Sequence, residues 1–227
     1  MLYFQGIIFN IGEISMAKKL FIFDYDGVIV DSLKVCMGIA NAIGEKYDLP
    51  KPLTEEAISA MPSVTMDRIL LLMGAAPEKI PVIEPELLAM LREKSLLAPV
   101  FSGIAELFRS IHQAGNTVAV NTANDSKAVA NRLAKSGMME YVSYIVGADT
   151  KGEKAEKIRG IMTKFGASPD SSWMIGDTMG DITEGRRAGV RTIAVTYGWQ
   201  STATLESVSP QHICHNIKQL REYITSL

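Results

Sequence analysis

Only two cysteines, Cys36 and Cys214, and three histidines occur among 227 residues. Two thiols cannot build the disulfide framework on which small secreted folds depend, so a reducing cytoplasm is the expected setting. Charge of one sign is missing as well. Lysine and arginine total 23 against 25 acidic residues, a formal net charge of -2, which leaves no basic field to hold nucleic acid or an anionic membrane. No uninterrupted apolar run reaches the roughly 20 residues of a membrane-spanning helix. What remains is an ordinary globular balance, 47% hydrophobic and 21% charged. A chain of this size buries roughly 70% of the surface it exposes when unfolded, enough for one large domain or a core carrying a smaller inserted one.

The first residues stand apart. MLYFQG, over 1–6, ends in LYFQG, which resembles the remnant of an engineered protease-cleavage tag, and IIFNIGEIS over 7–15 is either native or vector-derived. Met16-Ala17-Lys18-Lys19 reads as a native start. The basic residues follow the apolar stretch instead of preceding it, so no signal peptide is expected.

Further along, short apolar runs alternate with helical patterns. LFIF (20–23), TVAV (117–120), SYIV (143–146), SWMI (172–175) and TIAV (192–195) are of strand length and rich in β-branched or aromatic residues. Helical patterns lie near 103–114, 126–136, 154–165 and 180–188, with a last strand near 211–214 and a helix near 217–225. Strands separated by helices predict an α/β fold, a Rossmann-like parallel sheet covered on both faces. Residues 32–98 interrupt that rhythm. Met66, Ile69, Leu70 and Met73, then Leu87, Leu88 and Leu91, recur at helical spacing, and Pro50, Pro52, Pro62, Pro77, Pro81, Pro85 and Pro99 punctuate the segment. Such a stretch is too long for a crossover and predicts an inserted helical domain. The core is then 16–31 plus 99–227.

Chemistry concentrates where the apolar runs end. Phe23-Asp24-Tyr25-Asp26-Gly27 carries an apolar run into two aspartates one residue apart, which leave a strand on the same side. Open α/β sheets bind ligands at the carboxyl ends of their strands, and Gly27 permits a sharp turn there. Ile175-Gly176 leads likewise into Asp177, with Asp181 four residues on. If these strands are neighbours, four carboxylates converge. Two full charges about 4 Å apart repel by roughly 4 kcal/mol at an effective dielectric near 20, so the cluster calls for a cation or a shared proton. Oxygen ligands without sulfur and with little histidine favour Mg²⁺ over zinc. A third run ends in Asn121-Thr122-Ala123-Asn124, where a hydroxyl and backbone N–H groups ahead of a helix can hold phosphate oxygens. A lysine completes the set, with Lys154 and Lys151 as candidates. Lys154 is favoured, because Ile158 and Ile161 then continue a buried helix face.

Taken singly, each feature has an ordinary explanation. Asp-x-Asp is common in surface turns, a strand-end threonine usually serves a turn, and lysines at helix starts are usually solvated. Their order along the chain argues for more than that. FDYDGVIVDS, NTAN, the lysine and GDTMGDITEGRRAGVRTIAVTYGW resemble the four motifs of the haloacid dehalogenase superfamily, over essentially residues 18–227. MIGDTMGDITEGRRAGV with the following VTYGW is similar to the phosphoglycolate phosphatase type.

The resemblance implies a Mg²⁺-dependent phosphatase acting on a small phosphorylated metabolite, with Asp24 as the nucleophile that becomes transiently phosphorylated. It implies Asp26 as general acid and base, with its backbone carbonyl on the metal. Asp24 and Asp177 become side-chain metal ligands, and Asp181 acts nearby or through water. Gly27, Thr122, the Ala123 N–H and Asn124 line the phosphate position, and Lys154 neutralises Asp24 and the transferring group. Helices 32–98 become a cap that excludes water and selects substrate, in a region where Arg68 is either the partner of a substrate carboxylate or, the more ordinary reading, a surface helix arginine. The pattern is not copied throughout: Val28, Ala123 and Ala155 stand where the family often has Thr, Asn and Pro.

A phosphomutase of the same fold shares all four motifs, and a catalytically silent phosphate-binding module shares the architecture. A metal-free dehalogenase is disfavoured by the presence of Asp26. A phosphonate-cleaving enzyme would need a cap lysine such as Lys34, Lys46, Lys51 or Lys79. His212, Cys214 and His215 make a poor metal site, because His215 falls on the opposite strand face from the other two. His112 reads as a helix-end residue. The expected partners are therefore a small metabolite, with neither nucleic acid nor membrane, and the chain acts as a monomer or a dimer.

Overall fold

A computed structural model describes residues 7–8, 19–94 and 97–227. The tag remnant expected over 1–6 lies outside the described residues, as do residues 9–18. From the ambiguous N-terminal stretch only Ile7–Ile8 is described, as the short strand β1. The strand-length apolar runs become β2 (Leu20–Phe23), β3 (Thr117–Asn121), β4 (Tyr144–Val146), β5 (Ser172–Gly176), β6 (Arg191–Val195) and β7 (His212–Cys214). They form one sheet in the order β1-β4-β3-β2-β5-β6-β7. β1 runs antiparallel to β4, and every other pairing is parallel.

The register sets where functional residues emerge. Phe23 pairs with Val120 of β3 and with Ile175 of β5, so the three central strands end at one level. Asp24, Thr122 and Asp177 follow within two residues of those pairs. Alternate side chains serve opposite faces. Phe21, Phe23, Val118, Val120, Trp173 and Ile175 pack with Leu107 and Phe108 of α5 (Ile104–Gln113) and Leu220 of α10 (Ile217–Ser226). Leu133 of α6 (Ser126–Lys135) joins the same cluster. Leu20, Ile22, Ala119 and Met174 pack with Ile158 and Ile161 of α7 (Lys154–Phe165) and Ala188 of α8 (Met179–Ala188). A short helix absent from the sequence reading, α9 (Thr202–Glu206), starts at Ser201, whose hydroxyl accepts the Thr204 N–H.

Between β2 and α5 lie α1 (Leu33–Lys46), α2 (Glu55–Ser59), α3 (Met66–Leu72) and α4 (Ile80–Lys94). They share an apolar cluster built on Ile39, Ile43, Ile58, Leu70, Ile83 and Leu87, to which Trp199 from the loop after β6 adds its ring. The chain enters and leaves this segment side by side. Val30 bridges Val100 in antiparallel fashion, Asp31 N–H donates to Pro99 O, and Phe101 N–H donates to Ile29 O.

Two of the prolines expected to punctuate the segment do not. Pro81 and Pro85 lie within α4. At Pro81, in the first turn, no intrahelical bond needs its missing N–H, whereas Pro85 gives up one ladder bond. Among the described residues, no helix is long and apolar enough to cross a membrane, and Cys36 and Cys214 are free and buried.

Phe108 is fully buried and meets the Phe23 ring edge-on at 4.9 Å. Truncating it to Ala is expected to cost about 3–5 kcal/mol, read as a lowered midpoint in urea unfolding, whereas Phe108→Leu should cost less than half as much.

Candidate active site

The site stands at the carboxyl end of β2, β3 and β5. Asp24 continues β2 and stays registered with its neighbour, its N–H donating to Ile175 O at 2.9 Å. The chain then turns at Gly27, whose φ of +74° suits glycine. A Cβ on Gly27 would lie 2.0 Å from Asp177 Oδ2. On the other side, a Cβ on Gly198 would lie 2.4 Å from the same oxygen. The two glycines let backbone close around the Asp177 carboxylate from both sides.

Asp24, Asp177 and Asp181 each offer an oxygen within 4.8 Å of the others. Lys154 Nζ lies 2.6 Å from Asp24 Oδ1 and 2.5 Å from Asp181 Oδ1. It is the first residue of α7, and Glu153 with Glu156 forms a capping box that sets the start of that helix. Asn121 donates its amide to the Lys154 carbonyl, which ties the lysine to the end of β3. Asp181 Oδ2 accepts the N–H and hydroxyl of Thr178, a second capping box, at the start of α8. Asp177 Oδ2 accepts the Trp199 N–H at 2.8 Å, while its Oδ1 is buried without a hydrogen-bond partner.

Burial dominates the electrostatics. It raises the Asp24 carboxyl to about 7; Lys154 opposes the shift, and Asp181 and Asp26 add to it. Burial likewise holds Asp177 well above the ordinary carboxylate range, reinforced by Asp181 and Asp24 and opposed by the Trp199 N–H and Lys154. Asp26 is raised by burial, opposed by Ser32, Asn124 and Lys154. Burial alone would lower the Lys154 ammonium, but Asp181 and Asp24 outweigh it and hold the amine above its usual value. One ammonium faces four carboxylates, so the site carries more potential negative charge than its own cation can balance. An unpartnered buried carboxylate oxygen at Asp177, in an all-oxygen donor set, fits a hard divalent cation.

The phosphate-loop residues take other partners. Thr122 Oγ1 accepts the Asn124 N–H at 3.0 Å, the turn role ordinary for a strand-end threonine, and its hydroxyl proton can still be donated. Asn124 Nδ2 donates to Asp26 Oδ2 at 2.6 Å, so this side chain orients a carboxylate. Ala123 is exposed on the same turn.

The structure therefore brings together Asp24, Asp26, Gly27, Thr122, Asn124, Lys154, Asp177 and Asp181. It puts Lys154 in the cluster and leaves Lys151 exposed. Arg68 does not join them. It is exposed on α3, and no hydrogen bond or ion pair to the acids is found for it among the described residues. His212 stacks on Tyr223 at 3.6 Å and His215 pairs with Thr196 Oγ1, so the C-terminal histidines have structural partners. The sequence reading quoted Gly198 and Trp199 only within VTYGW, without a role, and passed over Gln200. Their signal was present: the loop after β6 leaves the same sheet edge as Asp177.

The comparisons with known proteins agree with this architecture. A family model described as haloacid dehalogenase-like hydrolase matches residues 21–195. A phosphoglycolate phosphatase of Vibrio vulnificus is 26% identical over 222 residues, spanning 91% of this chain and 96% of that protein. A haloacid dehalogenase-like family hydrolase from Streptococcus pneumoniae superposes with a TM-score of 0.79 at 19% identity, covering 91% of this chain and 98% of the other. A protein from Clostridium acetobutylicum, described as a predicted phosphatase, gives 0.79 at 22% identity, with 93% and 100% covered.

The raised carboxylates have a direct consequence for the metal-free chain. A folded-state value near 7 against 3.8 for the ordinary aspartate means that the folded form holds more protons between those limits. Stability in chelator is therefore expected to fall as pH rises from about 4 to about 7, with a slope of order 1 kcal/mol per pH unit. Denaturant titrations across that range measure it, and Asp24→Asn should flatten the slope.

Proposed function

The chain belongs to the haloacid dehalogenase-like hydrolase family, and from that premise we propose that it is a Mg²⁺-dependent phosphatase working through an aspartyl-phosphate on Asp24. The observation that carries this reading is the Lys154 ammonium seated between Asp24 and Asp181, beside an Asp177 oxygen with no partner. In this reading Asp24 and Asp177, with the Asp26 carbonyl, hold Mg²⁺, and Asp181 supports Lys154. Bound there, the ion supplies charge compensation for the crowded acids and for the phosphoryl oxygens.

The protein's own groups carry the remaining steps. An Asp24 carboxylate oxygen attacks phosphorus, and the bond from phosphorus to the ester oxygen breaks. Asp26 gives its proton to that departing oxygen. Its raised carboxyl suits a group that must arrive protonated, and Asn124 keeps it aimed. In the second half Asp26, now ionised, takes a proton from water. The water oxygen attacks phosphorus, inorganic phosphate leaves, and the Asp24 carboxylate is regenerated. Lys154 stays paired with Asp24 and meets the charge of the transferring group, while the Thr122 hydroxyl and the Ala123 N–H serve the phosphoryl oxygens. These are positioning and charge-compensating tasks, the main demands of phosphoryl transfer.

We assign residues 32–98 as a cap over a core of 16–31 plus 99–227. The single bridged crossing and the apolar cluster that α1 to α4 build, joined from the core by Trp199, support that division. A small phosphorylated metabolite is the substrate class, and phosphoglycolate is the first compound to test, from the likeness to the Vibrio vulnificus enzyme.

Phosphate release from a panel of phosphorylated metabolites should require Mg²⁺ and stop with chelator. Asp24→Asn should lower it by roughly 10³-fold or more; full activity in that variant would end the proposal. Mg²⁺ at about 100 times its dissociation constant adds about 2.7 kcal/mol to stability. Thermal scans should therefore show a rise of roughly 5–10 °C, absent in Asp177→Asn.

A further inference from the structure

The loop after β6 does more than close around Asp177. Trp199 gives its N–H to Asp177 Oδ2, its indole N–H to Ser32 Oγ at 3.3 Å, and its ring to the apolar cluster of α1 to α4. The next residue, Gln200, is 2% exposed. Its Oε1 accepts the Met179 N–H at 2.5 Å, and its Nε2 donates to Met61 O at 2.5 Å. Met179 opens α8, where the first N–H groups lack intrahelical acceptors, and Met61 lies just past α2, where the last carbonyls lack donors. One side-chain amide satisfies both. The partners also fix its orientation, since an N–H needs the amide oxygen and a carbonyl needs the amide nitrogen. Close by, Ser59 O accepts the Ser201 N–H at 3.3 Å and the Thr204 hydroxyl at 2.7 Å. Among the described residues no ion pair joins α1 to α4 to the rest of the chain.

We propose that Gln200 is a positioning residue that clamps the segment after α2 to the first turn of α8, and so couples the placement of α1 to α4 to the acid cluster. The clamp is bidentate and buried, and its two ends belong to parts of the chain that are otherwise joined through the bridged crossing segments, Trp199 and the bonds of Ser201 and Thr204 to Ser59 O. Met179 is two residues from Asp177 and two from Asp181. Movement of the Met61 end therefore pulls on the turn that carries both carboxylates, and order in that turn favours the closed placement of the helices. The kinetic consequence rests on the phosphatase reading, whereas the mechanical one does not.

The test uses two near-isosteric variants of the full chain. Gln200→Glu keeps the acceptor for Met179 but sets an oxygen against the Met61 carbonyl. Gln200→Met keeps length and removes both bonds. Backbone hydrogen exchange across residues 57–62 is expected to quicken by about tenfold in both, with β2 and β5 exchanging as in the parent. With phosphoglycolate and Mg²⁺, KM should rise by about fivefold or more, because closure must then be driven by substrate, while kcat changes by less than about twofold. Parent-like exchange at 57–62 in both variants overturns the proposal. So does faster exchange spread evenly over the sheet, which marks a general loss of stability. A parent chain that hydrolyses no phosphate ester ends the phosphatase reading alone, since the exchange measurement still decides the clamp.

Discussion

Everything at this site depends on one unfavourable arrangement, four carboxylates brought out of water around a single ammonium. The sheet enforces it. β2, β3 and β5 end in register, so their following residues have no choice but to meet, and apolar packing on both faces keeps the strands from sliding apart. The cost appears as carboxyl groups that burial pushes toward the protonated form. Lys154 relieves part of that cost by touching two acids at once. The remainder is negative charge that the chain's own ammonium does not balance.

Capping geometry is the means by which the sheet aims these groups. Thr178 and Asp181 close the first turn of α8, and the same aspartate holds Lys154. Glu153 and Glu156 start α7 so that Lys154 is its first residue and reaches back to the sheet. Asn121 and Asn124, at the end of β3, secure the lysine backbone and the Asp26 carboxylate respectively. A few local rules of helix initiation thus set the mutual positions of groups far apart in the chain, Lys154 lying 130 residues beyond Asp24.

Much of this was legible beforehand, and the reasons differ by element. β2 and α7 were readable to the residue, because an apolar run or a 3.6-residue period is a local property. The convergence of Asp24 with Asp177 was expected from their strand-end placement on the condition that the two strands are neighbours, which the pairing of β2 with β5 meets. The choice between Lys151 and Lys154 rested on which one continued a buried helix face, a weaker cue that the geometry supports. Other features had no local trace. Gln200 meets Met61 across 139 residues, and the Asn124 contact to Asp26 spans 98. Neither pairing follows from periodicity or composition. Pro85 sits inside a helix despite its breaker chemistry, because a continuous apolar face outweighs one lost ladder bond. Arg68, for which a surface position was the ordinary reading and a substrate contact the sharper one, is exposed.

The indole of Trp199 gives the molecule an optical property. The chain has two tryptophans. Trp173 is locked in the interior, stacked on Phe21 at 5.2 Å with Arg191 over its ring. Trp199 stands with its backbone on an acid and its ring among the inserted helices. Indole emission responds to nearby charge and to solvent, so the two rings report on different places. One is a reference ring in the core, and the other is a built-in dye at the junction where the Asp177 carboxylate and the inserted helices meet.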